Sequence, residues 1–239
     1  MTISPWIGIG CVASALVFVL GGLRWGQQHA NVSPETARKG VHVTMGAVAL
    51  LLPVLFDAVW PVVVLAVVSV GAMAALRWVG PLRRLAGGVL HDVDRQGYGE
   101  LCFPVAVLLL YVGSGGGGPS YVIPLLLLAF ADATAALVGL RFGRARFTIL
   151  GGTKSVEGSL AFVAVAMPCV LLPLLGAGLP WSLALGAALL TSLGAALVEA
   201  LSGRGLDNLF VPLYGLVAVR PFSAPDTGLP LAWVLSTLP

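Results

Sequence analysis

SYVIPLLLLAFADATAALVGL, residues 120–140, is the stretch on which the reading of this chain turns. At 1.5 Å per residue a helix of this length covers about 30 Å, the thickness of a bilayer's hydrocarbon layer. One ionisable group, Asp132, sits inside it, eight residues or ~12 Å from Leu140. A charge near the centre of a spanning helix costs at least about 2.5–3.5 kcal/mol, so Asp132 asks for a partner or a function. Ala136, Gly139 and Gly143 continue roughly the same face and allow another helix or a ligand to come close.

The rest of the chain is of the same kind. Of 239 residues 58% are apolar and 10% charged, and the mean hydropathy is +0.99. Soluble domains run nearer 45–50% apolar and about 25% charged, so a single soluble core is excluded. The 13 Lys and Arg against 10 Asp and Glu leave a net +3, too small and dispersed for a nucleic-acid surface. Cys11, Cys102 and Cys169 lack metal-ligand spacing and read as small packing residues. Met1–Trp6 carries no Lys or Arg, and the apolar run after it exceeds a signal peptide's core, so it reads as a retained first span.

The expected fold is all-α: a polytopic transmembrane bundle of about seven to eight spans, forming one integral membrane domain over 1–239. Spans are expected near 3–23, 41–56, 58–79, 100–113, 120–140, 156–176 and 180–202. Those at 41–56 and 100–113 are short and are expected to extend into the polar residues before them. The tail is open: Leu209–Val219 and Leu229–Leu238 are each too short to cross, and one could be re-entrant. Alternate loops hold Arg24, Arg38 and Lys39; Arg77, Arg83, Arg84 and Arg95; Arg141, Arg144, Arg146 and Lys154; and Arg204. The loops between them, around Asp57, Gly113–Pro119 and Gly176–Pro180, hold no cation, and only Arg220 is unplaced. The positive-inside rule then predicts an outside N-terminus and cytoplasmic charged loops, in the cell membrane. Gly115–Gly118, on the uncharged side, reads as a flexible connector.

Polar residues gather on the charged side. Glu157 opens the span at 156–176, Glu199 lies near the end of the next, and Asp207 and Asn208 follow. With Asp132 these are four acids at one face, and clustered carboxylates suit a hard cation such as Mg2+. Taken singly, Glu157, Glu199 or Asp207 reads equally well as a solvated interfacial charge. Lys154 lies in Gly151-Gly152-Thr153-Lys154-Ser155, followed by Val156-Glu157-Gly158-Ser159. This is either a phosphate-binding segment or a basic anchor. It is not a Walker A loop, which needs Gly where Thr153 stands and a preceding strand, and no strand is expected. Ser33-Pro34-Glu35 reads as a helix start, after which Lys39, His42 and Gly46 share one face. His42 is either a packed hydrogen-bonder or a catalyst, and Arg38 and Lys39 are either anchors or phosphate ligands. His29 and His91 read as loop residues.

In this order the clusters resemble the CTP-dependent polyprenol kinase family, which includes dolichol kinase and phytol or farnesol kinase. The resemblance rests on Arg38-Lys39-x-x-His42-x-x-x-Gly46, on Gly99-Glu100, and on Asp132-x-x-Ala135-x-x-x-Gly139 with Gly143. It continues through Lys154-Ser155-x-Glu157-Gly158-Ser159 and Glu199 to Asp207-Asn208-x-x-x-Pro212. The chain's length is more similar to the phytol kinase branch. The resemblance implies transfer of the terminal phosphate of CTP to the hydroxyl of an isoprenoid alcohol, with CTP from the cytoplasm and the alcohol from the bilayer. Lys154, Arg38 and Lys39 would then face phosphates, with Ser155, Gly158 and Asn208 helping to bind nucleotide. Asp132, Glu157, Glu199 and Asp207 would offer Mg2+ ligands, and Asp132 or else His42 would take the alcohol's proton. Two rivals remain at this stage: a membrane lipid cytidylyltransferase of the phosphatidate type, and a secondary transporter, although no internal repeat is visible.

Overall fold

The computed structural model describes residues 4–29, 34–79, 97–150 and 152–223. Ser33, Arg83, Arg84, His91, Arg95, Gly151 and the segment 229–238 lie outside them. Helix α1 is Pro5–His29 and α2 is Pro34–Leu50, with Pro34 at its first position as expected, followed by a short α3, Leu52–Leu55. α4 is Val59–Trp78 and α5 is Gly99–Gly113. A central rod follows, made of α6 (Pro119–Leu126), a π-helical turn (Leu127–Ala131) and α7 (Asp132–Phe142). Then come strands β1 (Arg146–Ile149) and β2 (Gly152–Ser155), and helices α8 (Val156–Gly176), α9 (Trp181–Leu201) and α10 (Asp207–Val219).

Five segments are long and apolar enough to cross a membrane: Thr36–Leu55, Val59–Trp78, Pro119–Phe142, Val156–Gly176 and Trp181–Leu201. Shorter apolar helices cover Pro5–Val19 and Gly99–Gly113. Val67, Leu160, Leu172, Leu190 and Leu197 are all exposed on the outer faces. A water-facing helix would be polar there. The Pro119–Phe142 segment is the hub: 56% of it is buried, against 17–39% in the other four. Its Ile123 and Leu127 belong to a core built with Phe162, Val170, Ala188 and Val211. Its Tyr121, Leu125 and Leu128 belong to a second core with Ala49, Phe56, Phe103 and Tyr111.

Several elements differ from expectation for local reasons. The helix at 100–113 gains a single residue at its start rather than a polar extension. Tyr98 N–H is held by the Arg204 carbonyl at 2.8 Å, which keeps the chain out of the helix. α2 extends back to Pro34 as expected but breaks at Leu51. Pro53 has no N–H for the Ala49 carbonyl four residues earlier. The buried Tyr121 hydroxyl donates to that carbonyl instead, at 2.8 Å. α10, from the ambiguous tail, is an integral bundle member with Val211, Pro212, Leu216 and Val219 buried. The hairpin β1–β2 is the largest departure. Lys154 itself lies in a strand, β2, which pairs antiparallel with β1, Arg146 opposite Ser155 and Phe147 opposite Lys154, and runs straight into α8. The fold nonetheless remains all-α in class.

Tyr121→Phe should leave the buried Ala49 carbonyl unpaired and cost about 1–3 kcal/mol. Thermal unfolding of the detergent-solubilised protein should show the midpoint fall; an unchanged midpoint would count against this joint.

Candidate active site

The π-turn sets the geometry of the centre. Within it the Asp132 N–H bonds back to the Leu127 carbonyl, five residues earlier. The Leu128 carbonyl is thereby released from the usual i to i+4 ladder, and His42 Nε2 meets it at 2.9 Å. A carbonyl only accepts, so Nε2 carries the proton and donates it here. Gly46 makes the approach possible, since a Cβ at that position would stand 2.5 Å from the Ala129 Cβ. The face Lys39–His42–Gly46 thus docks α2 onto the π-turn, and Lys39 Nζ reaches Asp132 Oδ2 at 2.6 Å. Both residues are buried. His42 Nε2 is 3.6 Å from the same oxygen.

A second set of contacts comes from the hairpin and the last helices. Lys154 Nζ donates to Glu199 Oε1, and to Asp207 Oδ2 at 2.9 Å. β2 carries Lys154 to this place, and Ser155 ends the strand by capping α8, its Oγ accepting from Gly158 N–H at 3.1 Å. Gly158 lets α8 lie against α7, because a Cβ there would come within 2.8 Å of the Ala135 carbonyl oxygen. Burial by itself would lower the Lys154 pKa. Asp207 and Glu199 outweigh burial and hold it above the ordinary lysine value.

The two sets meet. Carboxylate oxygens of Asp132, Glu199 and Asp207 all lie within 4.8 Å of one another. They border a pocket of about 670 Å³ that also takes in Arg38, Lys39, Lys154, Ser155 and Gly158. Three carboxylates face two ammonium groups directly, and Arg38 and Arg146 add two further positive charges to the pocket's lining. Such buried acids persist only when compensated. All-oxygen donors at this spacing fit a hard divalent cation better than a soft one.

Two expected members stand elsewhere. Glu157 is not with the other acids: its Oε1 accepts from Ala145 N–H at 3.2 Å, tying α8 to the hairpin's start. Asn208 spends its side-chain amide on the Gly99 carbonyl at 2.9 Å, docking α10 on α5. This also accounts for Gly99, where a Cβ would sit 2.7 Å from that amide nitrogen. Glu100 accepts from Arg77 at 3.0 Å rather than joining the pocket. Conversely, Arg146, Thr153 and Ser159 line the pocket. Arg146 carried only a topological signal in the sequence, because its placement depends on a hairpin that no period announced.

The chain is 31% identical over 218 residues to the phytol kinase of Synechocystis sp. (strain ATCC 27184 / PCC 6803 / Kazusa), covering 89% of this chain and 90% of that protein. No family model matches, and no solved structure matches significantly.

Lys39→Met should cost about 3–5 kcal/mol, because it strands a buried carboxylate. Adding Asp132→Asn should recover much of that loss, a coupling that chemical or thermal unfolding of the four proteins measures. For Lys154 the raised folded pKa means its stabilisation is complete below the unfolded lysine value and is lost only as pH rises through the folded one. A stability profile in detergent should therefore show no loss from this contact between neutral pH and the ordinary lysine range.

Proposed function

The chain belongs to the polyprenol and phytol kinase family, and from that premise we propose that it is a membrane-embedded lipid kinase that moves the terminal phosphate of CTP onto an isoprenoid alcohol. The observation that carries the reading is the meeting of Asp132, Glu199 and Asp207 with Lys39 and Lys154 in one pocket. Phosphoryl transfer asks a protein mainly for positioning and charge neutralisation, and this pocket offers both signs of charge at close range. Its residues come from the start of α2, α7, the hairpin, the start of α8, the end of α9 and the start of α10, toward one end of the bundle. A water-borne nucleotide and a bilayer-borne alcohol can meet at such an end. The positive-inside pattern supports a cytoplasmic placement of that end.

The chemistry follows from the contacts. The alcohol oxygen attacks the terminal phosphorus, a new O–P bond forms, the bridging P–O bond breaks, and CDP leaves. The proton from the alcohol goes to Asp132. His42 is the poorer acceptor, because its Nε2, the nitrogen near Asp132, already directs a proton to the Leu128 carbonyl. Lys39 holds the Asp132 carboxylate in place. Lys154, with Arg38 and Lys39 on the same pocket, supplies positive charge to the phosphates. Asp132, Glu199 and Asp207 would hold Mg2+, which supplies charge neutralisation on the nucleotide's phosphates when bound. Glu157 and Asn208 act through structure, setting the hairpin and α10.

Purified protein given γ-labelled CTP, Mg2+ and phytol should place the label in a lipid monophosphate. Label released as pyrophosphate instead would identify cytidylyl transfer and sink the kinase reading. Lys154→Ala and Asp132→Asn should each lower transfer by about 10²-fold or more, and full activity in either variant would reject its role.

A further inference from the structure

A second cavity, of about 430 Å³, lies between α1, α2, α4 and α5. Leu16, Met45, Ala49, Ala66, Phe103 and Val107 represent its walls, and among its lining residues Ser69 alone has a polar side chain. Membrane helices that merely pack would close such a space, since protein interiors leave few voids larger than a water. Here small Ala49 and Ala66 leave it open. Leu16, Met45 and Leu65 are half-buried, so the groove reaches the lipid-facing surface.

Its position relative to the polar pocket gives it a meaning. On α2, Arg38 and Lys39 border the polar pocket, while Met45 and Val48 border the apolar groove. His42 stands between them. Its ring packs edge-on against Phe103 of the groove, centroids 5.2 Å apart, and its Nε2 lies 3.6 Å from Asp132. The boundary between the two cavities is therefore about one side chain thick. We propose that this groove seats the hydrocarbon chain of the acceptor alcohol, whose hydroxyl passes His42 and Phe103 to reach Asp132. The proposal rests on the kinase reading and adds where the chain lies. An amphiphile with one polar end and a long apolar body matches a polar pocket joined to an apolar groove at a single residue. From Val62 to Ser69 on α4 the groove follows the helix for seven residues, ~10 Å, so it holds the head-proximal part of the chain. The remainder leaves past Leu16 and Leu65 into the bilayer.

The test uses the full-length protein in lipid nanodiscs and a farnesol analogue carrying a diazirine midway along its chain. Labelling should fall on peptides of α1, α2, α4 and α5 that include Leu16, Met45, Leu65 or Phe103, and phytol should compete it away. Label on other helices, or competition by phosphatidylglycerol as strong as that by phytol, would overturn the assignment and make the groove a bilayer-lipid site. In parallel, Ala49→Phe and Ala66→Phe should lower the ratio of kcat/KM for phytol over dimethylallyl alcohol by about tenfold or more, because they fill the space that only the longer chain uses. An unchanged ratio in both variants would also overturn it. If the variants fold too poorly to assay, the labelling of the unaltered protein decides. Labelling competed by phytol in a protein that phosphorylates no alcohol would reject the kinase reading while keeping the groove. Phosphorylation of phytol without labelling of these helices would do the reverse.

Discussion

Three carboxylates within 4.8 Å of one another, beneath the end of an apolar bundle, are tolerable only because two ammonium groups are brought to them. Each acid would otherwise repel its neighbours in a medium that screens poorly. Much of the surrounding architecture can be read as the means of delivering those two lysines. Lys39 arrives because α2 closes on the π-turn, with Gly46 against Ala129 and His42 on the Leu128 carbonyl. Lys154 arrives because the hairpin reaches over from α7 and hands the chain to α8 through the Ser155 cap. With Arg38 and Arg146 beside the two lysines, the pocket presents carboxylates and positive charges side by side.

The same constraint organises residues that touch no pocket atom. Glu157 fixes the hairpin's base, and Asn208 with Gly99 fixes α10 so that Asp207 faces Lys154. Tyr121 and Tyr111 secure the far side of the hub by donating to the Ala49 and Phe56 carbonyls. Polar side chains are few in this chain, and a large share of them are spent on such joints. Between the joints the helices pack through small residues, and the apolar groove along α2 is one place where that packing stays incomplete.

Individual residues show which features were legible in advance. Helix positions were readable because apolar runs of about 20 residues have few alternatives. Asp132 was conspicuous because a lone charge in such a run is costly, and Lys39, His42 and Gly46 because helical spacing sets them on one face. The pairing partners were not readable. Nothing in linear order connects Lys39 with Asp132, 93 positions apart, or Lys154 with Asp207, 53 apart. Glu157 looked equivalent to Glu199 because both lie near helix ends. Only the turn of α8 against the hairpin separates them.

Composition and hydrophobic periodicity alone determined that the chain is a bundle of apolar helices with its charges gathered in alternate loops. Those properties are sums over neighbouring residues, and local order carries them. The hairpin, the π-turn and the choice of which carboxylate meets which ammonium were decided only in the tertiary structure. Each depends on a contact between segments far apart in the chain: the Leu128 carbonyl with His42, the Gly99 carbonyl with Asn208, Lys154 with the ends of two later helices. In an apolar interior a polar group must find a partner wherever one lies, and distance along the chain does not enter that energy.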